Sequence, residues 1–278
     1  MKLIAESSTT RTDWALVEGA EIVEHAYTTG LNPYFQSRRE ISHSIRLELP
    51  EVFFRRKLEH VYFYGAGCAN TEKCKIMESS LVAQFKTPVT VESDLLGAAR
   101  GLLVREPGLA CILSTGSNSC LYNGLEIEKT IAPLGFILGD EGSGAYMGKR
   151  MIADMLKGLA PRDLTEAFFE KNNVTPNMLL DEVYSNKLPS KRLSQYSVFL
   201  RENLDNSYCY RLVYNAFMEF FTRNIISYDY TGIPLSFVGS VCVMYQPILL
   251  KVASDFGVQI KKIIRNSMPG LVAYHSEE

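Results

Sequence analysis

The first thirty residues alternate between apolar stretches and polar turns. Strand-like stretches cover residues 2–5, 13–17 and 22–27, and a segment rich in Ser and Thr, residues 6–12, separates the first two. Short apolar runs bounded by polar turns are typical of β-strands. The pattern predicts a three-stranded meander whose first turn is long and carries many hydroxyl groups.

Helical and strand patterns then alternate up to residue 100. Helical spacing covers residues 34–49, 71–85 and the stretch that ends at Arg100, whereas residues 60–64 and 88–91 resemble strands. The N-terminal part therefore predicts three strands followed by alternating helices and strands, an order typical of an α/β domain.

The same order recurs from Leu109 onward. The predicted elements of this half are strands at 109–114, 119–122, 126–131, 235–238 and 258–263, and helices within 154–228 and 246–256. Pro107-Gly108 is the natural junction between the halves. We therefore expect two α/β domains, residues 1–108 and 109–278, with a cleft between them.

The composition argues against nucleic acid and membranes as binding partners. Of the 278 residues, 46% are hydrophobic, and 29 basic against 31 acidic residues leave a net charge of -2, so no general attraction to nucleic acid is expected. The N-terminus turns polar before a signal peptide could form, and no apolar run has the length of a membrane span. These features predict a cytoplasmic protein with no membrane partner.

The cysteine, histidine and aromatic residues show no pattern that is typical of a metal or catalytic site. The six cysteines include no Cys-x-x-Cys pair and the four histidines are scattered, so the pattern favours a reduced interior without a zinc site. Aromatic residues between 208 and 230 fall at helical spacing, which is typical of a core or of a contact between two copies. A homodimer is one expectation from this pattern.

Two polar segments are the strongest candidates for ligand binding. Thr115-Gly-Ser-Asn-Ser119 follows an apolar run, and Gly139-Asp-Glu-Gly-Ser-Gly144 opens a segment with helical spacing. Small residues let backbone amides approach a ligand, while hydroxyls and carboxylates can contact it. A further candidate is Asp94, at a strand-to-helix junction. An Asp there is commonly a helix N-cap, and the residues alone favour the cap over a catalytic base.

Seven motifs occur together in one order: Ser7-Ser-Thr-Thr-Arg-Thr-Asp-Trp14, Leu31-Asn-Pro33, Ser93-Asp94, Thr115-Gly-Ser-Asn118, Gly139-Asp-Glu-Gly-Ser-Gly144, Phe237-Val-Gly-Ser-Val241 and Gly270-Leu-Val-Ala-Tyr-His275. With them the chain resembles the sugar kinases that share the fold of actin and hexokinase. Within that superfamily it resembles the N-acetylglucosamine kinase branch, which also contains the ATPases that activate benzoyl-CoA reductase. The resemblance covers nearly the whole chain.

The resemblance implies two ribonuclease-H-like domains and an ATP-dependent kinase that phosphorylates a hydroxyl of an amino sugar such as N-acetylglucosamine, with Mg²⁺ as cofactor. It implies that Asp94 is the catalytic base and that Glu6 contacts the metal through water. The implied nucleotide-binding residues are Ser8, Thr9, Thr10, Arg11, Thr115, Gly116, Gly239 and Ser240. The implied sugar-binding residues are Asn32, Ser117, Asn118 and Asp140.

Two alternatives stay open, and departures from the family pattern motivate the second. Members usually have Asp where this chain has Glu6, and Gly where it has Ser8. One alternative is a reductase-activating ATPase whose cysteines hold an iron–sulfur cluster at a dimer interface. The other is a sensor of sugar or nucleotide that retains the binding residues without turnover. The acceptor also stays open among N-acetylglucosamine, glucosamine and N-acetylmuramic acid.

Overall fold

A computed structural model describes residues 1–276. Its strands are β1 (Lys2–Ser7), β2 (Arg11–Glu18), β3 (Glu21–Thr29), β4 (His60–Gly65), β5 (Val89–Ser93), β6 (Gly108–Leu113), β7 (Ser117–Tyr122), β8 (Ile127–Thr130), β9 (Leu235–Val238) and β10 (Ile260–Ile264). Its helices are α1 (Arg38–Glu48), α2 (Val52–Arg55), α3 (Thr71–Phe85), α4 (Asp94–Leu103), α5 (Gly135–Leu138), α6 (Gly144–Leu156), α7 (Arg162–Asn172), α8 (Pro176–Ser185), α9 (Pro189–Tyr196), α10 (Val198–Glu202), α11 (Ser207–Phe220), α12 (Ser240–Met244), α13 (Gln246–Asp255) and α14 (Met268–Ser276).

The first sheet has the strand order β3-β2-β1-β4-β5. Antiparallel pairs join β1 to β2 and β2 to β3, whereas β4 is parallel to both β1 and β5. Alternate residues of the central strands bury opposite faces. Leu3 and Trp14 belong to the apolar cluster that includes residues of α1 and α3, and Ile4 and Ala15 belong to the cluster that includes residues of α14. Apolar burial on both faces therefore fixes the register of the sheet.

The second sheet repeats this arrangement, with the strand order β10-β9-β6-β7-β8. Its first strand in the chain, β6, is again central, the next two strands lie on one side, and β9 and β10, which are parallel, lie on the other. The predicted repeat and the α/β fold class are confirmed.

The chain divides into two compact units. The first consists of Met1–Ala110, Cys120–Lys129 and the C-terminal segment that begins at Asn266, and the second of Cys111–Ser119 and Thr130–Arg265. The domain boundary at residues 108 and 109 stays a prediction.

Both candidate turns are shorter than predicted. The expectation of a turn over residues 6–12 is wrong, because β1 continues through Ser7 and β2 starts at Arg11. The strand predicted over residues 119–122 starts earlier, at Ser117, so the polar turn before it is also shorter than predicted. Polar side chains at these strand ends have partners in the fold. Ser7 lies opposite Thr12 in the register, and their hydroxyls are 2.8 Å apart.

The predicted helical region of the second unit contains α7–α11 and a π-helical segment, Phe221–Ile225. Phe217, Phe220 and Tyr228 are buried within the protein, which accounts for much of the aromatic periodicity. Within residues 1–276, no helix combines the length and the apolar composition that a membrane span needs.

Candidate active site

The turn between β1 and β2 is organised by Ser8. The Ser8 amide donates to the Arg11 carbonyl at 2.9 Å, and Ser8 Oγ accepts from the amides of Thr10 and Arg11, both at 3.3 Å. The Thr9 amide has no acceptor among the described residues. Ser8 and Arg11 are exposed, and the Arg11 guanidinium lies 4.1 Å from the centre of the Tyr27 ring. The four predicted phosphate-binding residues of this unit thus lie together at one exposed turn.

Ser7 places Asn32 beside this turn. Its Oγ accepts from the Leu31 amide at 2.9 Å. Asn32 is buried, its Oδ1 accepts from the Tyr34 amide at 2.9 Å, and its own amide donates to Gln36 Oε1 at 2.9 Å. A Cβ at Gly67, where φ is +82°, would lie 2.3 Å from Asn32 Oδ1, so this position requires glycine. The side-chain NH₂ of Asn32 stays available as a donor to a ligand.

Asp94 is the first residue of α4, and the cap of that helix is Ser93. Ser93 Oγ accepts from the Leu96 amide at 3.2 Å, and Asp94 Oδ1 accepts from the Leu95 amide at 2.9 Å. The N-cap role that the residues alone favoured for Asp94 is therefore wrong. Burial raises the pKa of this half-buried carboxyl above its ordinary value of 3.8.

Glu6 lies near the end of β1, and Ser267 donates to it twice. Ser267 Oγ is 2.8 Å from Glu6 Oε1, and the Ser267 amide nitrogen is 3.4 Å from Oε2. Burial raises the pKa of Glu6 to about 7, the bonds from Ser267 oppose this shift, and the charges of Asp13 and Asp94 add to it. Glu6 and Asp94 are thus close enough to interact electrostatically.

The turn between β6 and β7 is held by the start of α6. The amide of Gly144 donates to the Ser114 carbonyl at 2.9 Å, and the amide of Ala145 donates to the Thr115 carbonyl at 3.1 Å. These helix amides would otherwise lack intrahelical partners. The Ser114 amide closes the turn by donating to the Gly116 carbonyl at 2.9 Å.

Asp140 lies beside this second turn. Its backbone is left-handed, with φ at +57°, and its Oδ1 accepts from the Ser117 amide at 3.2 Å. A Cβ at Gly116 would lie 3.1 Å from Asp140 Oδ2, so the turn packs against the carboxylate. Only 8% of Asp140 is exposed, and burial raises its pKa to about 6. Asp140, Thr115, Gly116 and Ser117 therefore form one group.

The other predicted residues of the second unit lie at neighbouring strand ends. Asn118, in β7, is half-buried, and its Oδ1 accepts from the Ser119 amide at 2.9 Å. Gly239 follows β9 with φ at +133°, and a Cβ there would lie 2.2 Å from the Leu113 carbonyl oxygen at the end of β6. Ser240 is exposed at the start of α12.

The donor set suits a magnesium ion that is bound through water. Among residues 1–276 no group of three or more His, Cys, Asp or Glu side chains could hold a metal ion. Each carboxylate oxygen has two lone pairs, so the bonds from Ser267 leave both Glu6 oxygens able to accept from metal-bound water. Mg²⁺ usually keeps several waters and takes one or two carboxylates with substrate phosphates.

The cysteines offer little to an iron–sulfur cluster. All six are free, and five are buried, with Cys74 half-buried. Burial raises the pKa of Cys68, Cys120 and Cys242 to about 12 in each case. A cluster at a dimer interface needs accessible cysteines, and among the six only Cys74 is partly accessible.

Three residues that contact the predicted site residues were not predicted themselves. Ser7 accepts from the amide next to Asn32, Ser267 donates to Glu6, and Lys149 lies close enough to Asp140 to interact electrostatically. Ser7 occurs in a recognised motif, so its spacing to Thr12 was a usable signal. Ser267 is 261 positions from Glu6, and no local pattern connects them.

Solved structures resemble this chain over its full length. A proposed N-acetylglucosamine kinase from Porphyromonas gingivalis has 38% identity and a TM-score of 0.96, covering 100% of this chain and 99% of that one. A proposed N-acetylglucosamine kinase from Chromobacterium violaceum has 15% identity and a TM-score of 0.78, covering 98% of each chain.

A ROK-family glucokinase from Streptomyces griseus, solved with glucose and AMPPNP, has 12% identity and a TM-score of 0.58, covering 98% of this chain and 97% of that one. At this identity, as with the Chromobacterium protein, the likeness shows the fold alone. Neither a protein-family model nor a curated protein matches the sequence.

Proposed function

We propose a reaction for this chain, which belongs to the N-acetylglucosamine kinase-like branch of the sugar kinases with the actin and hexokinase fold. The reaction is transfer of the γ-phosphate of ATP to a hydroxyl of an amino sugar, N-acetylglucosamine or a relative. The observation that carries the proposal is Asp94, a half-buried carboxylate at the start of α4 whose expected capping role is performed by Ser93.

Asp94 is the base in this proposal. A sugar hydroxyl is a poor nucleophile, so a carboxylate within hydrogen-bond reach accepts its proton as the oxygen attacks the γ-phosphorus. Burial, which raises the pKa of Asp94, makes it a stronger base than an exposed Asp. The proton passes to a carboxylate oxygen of Asp94, and ADP departs with the electrons of the broken P–O bond.

The phosphates are bound by backbone and hydroxyl groups in the proposal. In the first unit these are the turn of Ser8, Thr9 and Thr10, with Arg11 at its end. In the second unit they are Thr115 and Gly116, with Gly239 and Ser240. Amides and hydroxyls of tight turns can bind phosphate oxygens without a P-loop lysine.

The sugar is bound by donors and acceptors whose geometry is already fixed. Asn32 offers its NH₂ group, and Asp140, ionised above a pH of about 6, accepts from sugar hydroxyls. Ser117 and Asn118 complete the set. Magnesium would supply positive charge to neutralise the developing phosphate charge, and Glu6 would hold it by accepting hydrogen bonds from its bound water.

The test is ADP release with and without Mg²⁺, measured for N-acetylglucosamine, glucosamine and N-acetylmuramic acid, with glucose as the comparison sugar. We expect Mg²⁺-dependent release with one or more amino sugars, and identification of the product by mass as a sugar phosphate. If calorimetry detected sugar binding while no sugar raised ADP release above background, the chain would be a sensor and the proposal would be wrong.

A further inference from the structure

Ser267 is a fully buried serine just before α14, with 0% of its surface exposed. Its hydroxyl and its amide both donate to the Glu6 carboxylate, at 2.8 and 3.4 Å. A carboxylate at a helix N-terminus is favoured by the helix dipole as well as by these bonds. Glu6 is therefore held by α14, an element far from β1 in the sequence.

The same serine lies where α14 and α4 are in close contact. A Cβ at Gly101 of α4 would lie 2.3 Å from Ser267 Cβ, and a Cβ at Gly270 of α14 would lie 1.9 Å from the Gly101 carbonyl oxygen. Any side chain at either glycine would force the helices apart. This backbone contact fixes Ser267 relative to α4, and the first residue of α4 is Asp94.

We propose that Ser267 is a positioning residue for phosphoryl transfer: it holds Glu6 in a fixed place relative to α4, and so relative to Asp94. This inference rests on the function proposed above. The side chain of Glu6 is just long enough to reach the Ser267 hydroxyl. An aspartate would end one carbon–carbon bond short of it.

Electrostatics explain why Glu6 needs to be held. Burial opposes ionisation of Glu6 most strongly, and the charges of Asp13 and Asp94 add to that effect on its pKa. The bonds from Ser267 offset part of the cost of an ionised Glu6. Without them the Glu6 side chain would rotate among other rotamers, and its carboxylate would lose the orientation needed to contact the metal water shell. Such supporting bonds are typically worth 10–100-fold in activity or metal affinity.

Other bonds keep α14 in place when Ser267 changes. His275 Nε2 is 2.8 Å from the Tyr64 hydroxyl, and Lys2 Nζ donates to the His275 carbonyl at 2.6 Å. These contacts anchor the C-terminal part of α14 to β4 and β1. Ser267→Ala should therefore act locally on Glu6 rather than release the helix.

The test compares Ser267→Ala with a matched control, Ser80→Ala. Ser80 is also 0% exposed, and its hydroxyl donates to the Ile76 carbonyl at 2.8 Å within α3, with the Arg38 carbonyl 3.3 Å away. Both variants lose one buried hydroxyl group that donates a hydrogen bond, so both should lose roughly 2–4 °C in Tm. On the best acceptor sugar, Ser267→Ala should lower kcat by about 10–100-fold with the sugar KM within roughly threefold, whereas Ser80→Ala keeps kcat.

Glu6→Asp tests the coupling. It should lower kcat as much as Ser267→Ala does, and the double variant should lose little more, because the two residues act through one bond. The same non-additivity should appear in the Tm values of the two single variants and the double variant.

Equal kcat for Ser267→Ala and Ser80→Ala, or additive losses in the double variant, would overturn the inference. A wild type that releases no ADP with any sugar would instead overturn the proposed function and the catalytic role of Ser267 with it. The Tm values would still decide whether Ser267 and Glu6 are coupled. Additive Tm losses would overturn that coupling, and non-additive losses would support it.

Discussion

The turns that follow β1 and β6 occupy equivalent places in two sheets of the same topology, yet they are stabilised differently. The first is closed locally, because Ser8 binds the amides of Thr10 and Arg11 with its own hydroxyl. The second has a local bond from the Ser114 amide to the Gly116 carbonyl, but it also depends on a distant segment, because the Ser114 and Thr115 carbonyls accept from the first amides of α6.

Two carboxylates, Asp94 in the first unit and Asp140 in the second, differ in the same way. Asp94 accepts from the amide of the next residue, whereas Asp140 accepts from Ser117 in another element and has a left-handed backbone. A carboxylate held across elements has a fixed geometry and suits binding. A carboxylate at the start of a helix is able to exchange protons with a substrate when another residue provides the helix cap. This contrast supports the proposed division, with chemistry at Asp94 and sugar binding at Asp140.

The largest expected effect is that of Asp94→Asn. An amide cannot accept the hydroxyl proton, so kcat should fall by roughly 10²–10⁴-fold while Tm stays nearly unchanged. The control is Ser93→Ala, which removes the helix cap and should cost about 1 kcal/mol of stability with kcat within a few fold. Steady-state kinetics and thermal melts measure both. A large kcat loss in Ser93→Ala with none in Asp94→Asn would reverse the two roles.

Gly239→Ala should be the most destabilising change near the second turn. Its Cβ would meet the Leu113 carbonyl at 2.2 Å in a backbone region that favours glycine, so we expect a loss of about 3 kcal/mol or more. Gly257→Ala is the matched control. It also has a positive φ, +69°, but nothing lies within 4 Å of a Cβ, so only the roughly 1 kcal/mol of backbone strain applies. Equal losses in denaturant titrations would show that Gly239 has no close contact.

Asp140→Asn should weaken function and increase stability. The ionised carboxylate is costly to bury, and Asn still accepts from the Ser117 amide. The pKa of Asp140 is raised from 3.8 to about 6, so the folded state holds this proton more tightly than the unfolded state does. Wild-type stability should therefore fall as pH rises from about 4 to about 6, by up to roughly 2–3 kcal/mol.

In Asp140→Asn this fall should be absent, and the variant should melt above the wild type at pH 7. Its sugar KM should rise by about 10–100-fold, since a strong acceptor is replaced by a weaker one. Wild-type sugar KM should also rise as pH drops below about 6. A variant less stable than the wild type at pH 7 would contradict the burial cost assigned to Asp140.

Ser8→Gly should have the smallest effect. The hydroxyl bonds that close the turn are exposed, so we expect a loss of about 0.5–1 kcal/mol and a change in ATP KM of only a few fold. Thr9→Ala provides the comparison, since both changes remove one hydroxyl from the same turn. A loss of all nucleotide binding in Ser8→Gly would mean that its hydroxyl binds phosphate directly.

The contrast between local and distant support also explains what the sequence could predict. Helix α3 and strand β9 have the predicted bounds, because their periodicity and flanking residues are local signals. The turns were predicted too long because hydroxyl-rich strand ends resemble loops until Ser7 is paired with Thr12. The cap at Ser93 could have been recognised, since Ser is as good an N-cap as Asp. The contact between Ser267 and Glu6 could not, since it joins residues 261 positions apart.

Calorimetric titration of the best acceptor sugar into Asp94→Asn and Asp140→Asn tests the division of roles most directly, because it separates binding from turnover. Asp94→Asn should bind the sugar within about threefold of the wild-type affinity, and Asp140→Asn should bind it about 10–100-fold more weakly. Lost sugar binding in Asp94→Asn, with binding retained in Asp140→Asn, would contradict the assignment of chemistry to the first residue and binding to the second.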